Sequence, residues 1–538
     1  MASVQGQKKG FLHKLFGTTP NDGDIQPREG LAFSVAGFGQ NMICTIVGSY
    51  LTVYMTDGIG IPALAVAFLM LFARIYDAFN DPIMGSIVDK THTKWGKCRP
   101  FLKWMAIPIG IMTILCFLPV WGFDSSKMNV GAFVAVTIIY IIWGMVYTVV
   151  DVPYWALTTC MTTDTYKRGN MLTIARLICM AGAGIVTIIL PQITGSLTGP
   201  LSEAGKYAEA GQKLQWIYFI ASIIICVIAV PLFFVGFKGT VERNKQLEEK
   251  PRPLKENLKL LVKNKPLMLI VLSGVLGAAR TGFTYTGGFY FAKYVLGNTN
   301  IMGFTSDGIY TLFTFSVIPG GLIASVLVPF FTKKVGKRNT YIYSHLVGGA
   351  AMLVAYFVGI GISKGDYTNP ISIWIMMISF VIAGIPTGFG NIISYAMIGD
   401  TVEWLELKTG ERAEGICYSM QTFISKIGMA VGAFFGVLSY HLAGIEANNV
   451  VDVTPEGKDI MWLMLVLIGA VSFIASAIPL FFYKFNEKQQ QEAVKIIAER
   501  KAAAQNLDSS EATENTIDVE TNIETSESTE SKVDETDE

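Results

Sequence analysis

Charge is what this sequence has least of. Asp, Glu, Lys and Arg make up 16% of its 538 residues, against about a quarter in an ordinary soluble protein. That is too little to cover a soluble surface. Histidine is reduced to four residues, His13, His92, His345 and His441; they do not cluster and form no H-E-x-x-H, which excludes the compact catalytic set of a membrane-embedded enzyme. The seven cysteines lie in or beside apolar runs, without a C-x-x-C pair or zinc spacing, and read as free thiols of small hydrophobic character. Lys+Arg and Asp+Glu both number 42, so no net charge points to a nucleic-acid partner. The opening stretch "MASVQGQKKGFLHKLFGTTPNDGD" has no apolar core of signal-peptide length. The first long apolar run is therefore expected to act as its own insertion signal.

Hydrophobic residues, by contrast, reach 51%. Apolar runs near twenty residues recur from about residue 30 to about 484, each long enough for a hydrocarbon core of roughly 30 Å. Lipid admits only helices or closed barrels, and these runs are too long for barrel strands. The pattern predicts an all-α polytopic membrane protein with about twelve spans: 30–56, 63–88, 100–122, 130–160, 171–198, 214–237, 266–297, 306–332, 340–362, 371–400, 413–443 and 460–484.

Alternate connections are basic, as in "DKTHTKWGKCRP", "TDTYKRGN" and "TKKVGKRNT". By the positive-inside rule these lie in the cytoplasm, together with both termini. The organisation expected is a cytoplasmic segment 1–29, a six-helix bundle 30–237, a cytoplasmic loop 238–265, a second six-helix bundle 266–484 and a cytoplasmic tail 485–538. The tail is acidic and Ser/Thr-rich, a composition that cannot bury a core and is expected to be disordered; its start, "NEKQQQEAVKIIAERKAAAQ", could continue as a surface helix. "GSIVDKTHTKWGKCRP" after the second span is echoed by "VPFFTKKVGKRNT" after the eighth. Two similar halves with a site between them are how many secondary transporters are built.

The stretch "ARIYDAFNDP" puts charge inside the second span. Arg74, Asp77 and Asp81 are spaced to share one helix face, with Asn80 beside them. Charge at the bilayer centre costs about 3 kcal/mol per residue, so such groups face a polar interior and mark an ion or substrate path. An Arg74–Asp77 pair alone would leave Asp81 unexplained. Two carboxylates one turn apart offer hard oxygens to an alkali cation or share a proton, so Asp77 and Asp81 form the expected site of a monovalent cation.

Other spans add buried polar groups. The fourth holds Asp151 with Thr148, Tyr154 and Trp155, the fifth Arg176, the eleventh Gln421 and Lys426, the seventh Arg280, and Gln40 and Asn41 interrupt the first. A carboxylate, a guanidinium and an indole are suited to a sugar: the first two bind hydroxyls and the third packs on the ring.

"ARIYDAFNDPIMGSIVDKTHTKWGKCRPFLKW", "WGMVYTVVDVPYWAL", "GDTVEW" and "YSMQTFISK" together resemble the glycoside–pentoside–hexuronide:cation symporters, the melibiose permease group of the major facilitator superfamily, over about residues 28 to 485. The resemblance implies the major facilitator fold and uptake of a glycoside, pentoside or hexuronide by symport with Na⁺, H⁺ or Li⁺. It implies cation binding by Asp77, Asn80, Asp81, Thr148 and Asp151, and sugar binding by Asp151, Trp155 and Arg176, with Tyr154, Gln40 and Asn41 beside them. Lys426 matches a lysine near the cation site. Arg74, Lys426, Asp89, Lys97 and Arg99 are expected to couple or gate, the last three through inner-face pairs. Gln40 and Asn41 stand where the melibiose permease has a Lys-Asp pair; losing that carboxylate weakens galactoside recognition and admits an anionic sugar, a neutral pentoside or a β-glycoside. No cofactor beyond the coupling ion is expected. The partners expected are the sugar, the cation and the lipid of the plasma membrane, with the monomer functional. The rivals are a passive facilitator or a sugar:sugar exchanger, and then a sensor that does not transport.

Overall fold

A computed structural model describes Phe16, Thr18 and residues 24–500, except 90, 125–127, 163–164, 244–253, 284–286, 298–305, 363–365, 412–413, 446 and 450–452. Among the described residues the structure is helical apart from one isolated bridge, Thr93 to Gly96. The acidic end of the tail, 501–538, lies outside them.

The first half contains α1 (Pro27–Val53), extended by a π-helical turn Tyr54–Ile59, then α2 (Ala63–Asp89), α3 (Arg99–Trp104), α4 (Ala106–Leu115), α5 (Val130–Met161), α6 (Thr165–Glu203) and α7 (Tyr207–Gly239). A short amphipathic α8 (Leu254–Lys263) lies within the segment read from sequence as a loop. The second half contains α9 (Lys265–Leu276), a 3₁₀ turn Ala278–Thr281, α10 (Gly288–Tyr290) with a π turn Phe291–Leu296, α11 (Ser306–Val335), α12 (Lys337–Phe357), α13 (Pro370–Thr409), α14 (Glu414–Leu442), α15 (Pro455–Trp462) and α16 (Ile468–Phe481). Residues 487–500 form a final helix, α17.

Among the described residues, nine helical segments are long and apolar enough to cross a membrane. Three more crossings complete twelve: α2, the pair α3 and α4 broken at Met105, and the seventh span. The seventh span, expected as one helix over 266–297, is interrupted at Gly277, where the Arg280 guanidinium turns back to bond the Gly277 carbonyl at 2.7 Å. Arg280 thus serves the break in its own helix and lies over the Phe473 ring.

Side chains that compete with backbone hydrogen bonding start several helices. Asn129, Asn264, Asn369 and Thr454 each accept from an N–H of the first turn, at 3.0, 3.2, 3.0 and 3.1 Å, which satisfies donors the helix itself cannot. Within each half, α1 packs on α6 and α7, while α13 packs on α11 and α12. Small residues set that last approach: a Cβ on Gly384 or Gly388 would collide with the Val317 or Gly321 carbonyl.

The echo between the two basic loops has a structural counterpart. In "GKCRP", Gly96 adopts φ +107°, and the N–H groups of Lys97, Cys98 and Arg99 donate to the Glu242 carboxylate just past α7, at 2.9, 2.9 and 2.8 Å. Arg99 donates to the Phe237 carbonyl at 2.8 Å. In "GKR", Gly336 adopts φ +85°, Lys337 N–H donates to Glu487 at 2.6 Å, and Arg338 donates to the Leu480 and Phe481 carbonyls, each at 2.7 Å. In both halves a left-handed glycine, which L side chains avoid, turns a loop onto the end of that half's sixth span.

The halves meet along α2 with α14 and along α6 with α11. Twelve crossings return the chain to the face on which it began, here called the terminal face. At the opposite face the halves are tied together. Asp57, fully buried in the π turn after α1, contacts Lys293 Nζ at 2.5 Å and the Tyr294 hydroxyl at 2.8 Å. Asn448, in left-handed backbone, donates to the Asp57 carbonyl at 2.6 Å and accepts from Lys293 at 3.0 Å. Thr56 with Tyr290, at 2.8 Å, and Tyr207 with Asn449, at 3.0 Å, extend the seam. On the terminal face the ion pairs Asp24–Lys167, Glu29–Arg243 and Asp400–Lys337 each stay within one half.

Candidate functional site

The charged stripe of α2 faces α5 and α14. Arg74 and Asp77, 6% and 7% exposed, pair within the helix, Nη1 to Oδ2 at 3.4 Å. Asp77 can lie against α5 because Gly144 has no side chain; a Cβ there would sit 2.8 Å from Asp77 Oδ1. Lys426 reaches across from α14 and holds Asp81 at 2.5 Å. Asp81 is therefore bound by an ammonium from the opposite half, while Asp77 is bound by a guanidinium from its own helix. Asp151, one helix over, lies within electrostatic range of both Asp81 and Lys426.

Asp151 accepts from Gln40 Nε2 at 2.5 Å, Trp155 Nε1 at 3.1 Å and the Tyr147 hydroxyl at 3.5 Å. All three reach Oδ1, and no hydrogen bond among the described residues occupies Oδ2. The Trp155 donor follows from helical spacing, since residues four apart share a face. Arg176 on α6 lies with its guanidinium 5.0 Å from the centre of the Trp155 ring. Its surface is exposed, although it lies within a span. Arg176 thus presents an exposed guanidinium beside the Trp155 ring, in the half of α6 nearer the terminal face.

The structure brings together Gln40, Asp77, Asp81, Asp151, Trp155, Arg74 and Lys426, with Arg176 at the edge. Asn41 is beside them: its amide donates to the Gly37 carbonyl, and it lines a cavity of about 240 Å³ with Cys44, Thr45, Ser49 and Arg74. Asn80 is half-buried on the same helix. Thr148, on the face of α5 shared by Gly144 and Asp151, is buried, and its hydroxyl has no partner among the described residues. The carbonyl oxygen of the Gln421 side chain, a turn before Lys426, is likewise buried and unpartnered.

Two expectations change. Tyr154 does not face the cleft: its ring stacks on Phe33 at 4.4 Å and its hydroxyl donates to the Phe33 carbonyl at 3.0 Å. It joins α5 to α1, because the helix turns it about a third of a revolution away from Trp155. Arg99, expected in an inner-face gating pair, directs its guanidinium to the Phe237 carbonyl of its own half, and its main-chain N–H to Glu242; the Lys97 bond to Glu242 is a main-chain one and does not bear on the pairing expected of its ammonium. Asp89 ends α2, but its side chain lies outside those described. Asp57, Lys293 and Tyr395 were missed by sequence reasoning. Asp57 lies in the connection "TDGIG" at the end of the first span, and nothing in the local sequence announces its partners.

Twelve spans in two groups of six, with ion pairs at the seam between them, are the arrangement of many secondary transporters. The chain belongs to the MFS/sugar transport protein family, whose model matches residues 32–487. It is 30% identical over 461 residues to the isoprimeverose transporter of Lactiplantibacillus pentosus, covering 85% of this chain and 89% of that protein. It is 27% identical to the glucuronide carrier protein homolog of Escherichia coli (strain K12), covering 89% and 96%. Among solved structures, the nucleoside transporter NupG shares the fold with a TM-score of 0.54 at 14% identity, covering 85% of this chain and all of that one.

Proposed function

We propose that this protein imports a glycoside, pentoside or hexuronide across the plasma membrane by symport with a monovalent cation, Na⁺ or H⁺, with both termini cytoplasmic and the monomer as the working unit. The observation that carries this reading is the Lys426–Asp81 pair, which puts an internal cation from one half on a membrane-embedded carboxylate of the other. A facilitator needs no such arrangement.

The coupling cation competes with Lys426 for Asp81. When it binds Asp81, with the Asp77 oxygens and the Thr148 hydroxyl as further donors, the ammonium is released and the α2–α14 contact loosens. Lys426 also acts on Asp151, so its departure changes the field at the sugar site. Asp151 Oδ2 accepts a sugar hydroxyl, Trp155 packs on the ring and Arg176 binds a second hydroxyl or a carboxylate. Each ligand improves binding of the other, as linkage requires. Two relatives support the substrate class: one is named for isoprimeverose and the other for glucuronides. The exposed Arg176 suits the carboxylate of the latter.

The test is uptake by the purified protein in liposomes of an α-galactoside, a β-glucoside, a xyloside and a β-glucuronide, with an inward Na⁺ gradient, an inward H⁺ gradient, or neither. Uphill accumulation of one glycoside under one gradient is expected. Equilibration that ignores both gradients would replace symport with facilitated diffusion.

A further inference from the structure

Gln40, Asp151, Trp155 and Arg176 all belong to the first half. A sugar held by them alone would ride with that half, and its contacts would be the same whichever way the halves were tilted. A ligand shifts a conformational equilibrium only by its difference in affinity between the two states. A sugar contact from the second half whose reach depends on tilt supplies such a difference directly. Lys426 has this character on the cation side.

On the sugar side, Tyr395 of the second half meets the first-half cluster. Tyr395 on α13 accepts a hydrogen bond from Arg176 Nη2 at 3.3 Å, and the guanidinium lies 6.0 Å from its ring centre. Arg176 is thus held between the Trp155 indole of one half and the Tyr395 phenol of the other. Tyr395 is itself exposed, and its ring lies nearly parallel to that of Tyr418 on α14, 6.5 Å away. The guanidinium can only donate, whereas the phenol both accepts and donates. With its oxygen accepting from Arg176, its proton remains for a sugar oxygen, and its ring offers an apolar face to sugar C–H groups.

We propose that Tyr395 is a specificity-determining sugar contact of the second half, reaching the sugar beside Arg176 and linking sugar occupancy to the tilt of the halves. This rests on the transport reading above. Because the sugar would then meet a phenol from one half and an indole from the other, the ranking of glycosides depends on Tyr395 as well as on Asp151.

The experiment uses the full chain in proteoliposomes and the four-glycoside panel as p-nitrophenyl derivatives, comparing wild type, Tyr395→Phe and Tyr395→Trp for half-saturation and maximal rate. Tyr395→Phe, which keeps the ring, is expected to raise half-saturation about ten-fold for the best-carried glycoside, the worth of one hydrogen bond to a ligand hydroxyl, with maximal rate changed far less. Tyr395→Trp is expected to re-order the panel. If wild type accumulates a glycoside and both variants keep its half-saturation and ranking, the Tyr395 assignment is overturned and the Arg176 contact is only a strap. If wild type neither accumulates nor equilibrates any of the four, the transport reading falls and the assignment falls with it.

Discussion

Asp57 and Lys293 pair at 2.5 Å across the seam between the halves, and the aspartate side chain has no exposed surface. Lys293 and the hydroxyls of Tyr294 and Tyr440 converge on this carboxylate from the second half, while Asn448 holds the Asp57 main-chain carbonyl, and together they close the face away from the termini. Removing one member of a buried pair strands the other, at a cost of about 3–5 kcal/mol. Asp57→Asn should lower the melting temperature in detergent and slow sugar uptake. Asp57→Asn with Lys293→Met should recover most of the stability. A double variant as unstable as the single one would show that the pair does not act as a latch.

Asp81→Asn should remove stimulation of uptake by any cation gradient while sugar exchange down its own gradient persists. The neutral amide holds neither the ammonium of Lys426 nor a competing cation as a carboxylate does. Full gradient-driven uptake by this variant would place the cation elsewhere.

Asp151→Asn alters the acceptor that receives Gln40, Trp155 and Tyr147, and Trp155→Phe removes one of its three donors. Hydrogen bonds to a charged group contribute about 1.5–3 kcal/mol. Asp151→Asn should therefore weaken sugar binding by roughly ten- to a hundred-fold. Trp155→Phe keeps a ring but loses the N–H, and should weaken binding less. Equilibrium binding of the glycoside that wild type carries best would check both.

Glu242 and Glu487 hold the turning loops of the two halves. Glu242→Gln turns one acceptor into a donor facing main-chain N–H groups. It should cost about 1–3 kcal/mol for a donor left unsatisfied. Glu487→Gln, with one such bond at Lys337, should cost less. Thermal unfolding of the purified variants would rank them, and the reverse order would argue against a shared role.

Much of this protein could be read along the chain because lipid permits few solutions. Spans of apolar residues must be helices, basic connections alternate with others, and an Arg-Asp-Asp stripe on one helix face has to turn inward. The glycine-lysine-arginine echo was visible for a related reason: each loop requires a left-handed glycine next to a cation. Helical spacing also suggested that Trp155 would serve Asp151.

What the chain alone could not decide is which groups from distant segments share a charge. Asp81 meets Lys426, 345 residues away, and Asp57 meets Lys293, 236 residues away. Tyr154 and Trp155 are adjacent in sequence, yet one is sealed against Phe33 and the other borders the cleft. Periodicity identifies the face of a helix, but not what stands opposite it. That is fixed only when two six-helix bodies pack together, because an isolated helix has no preference among partners until burial makes an unpaired charge too costly to keep.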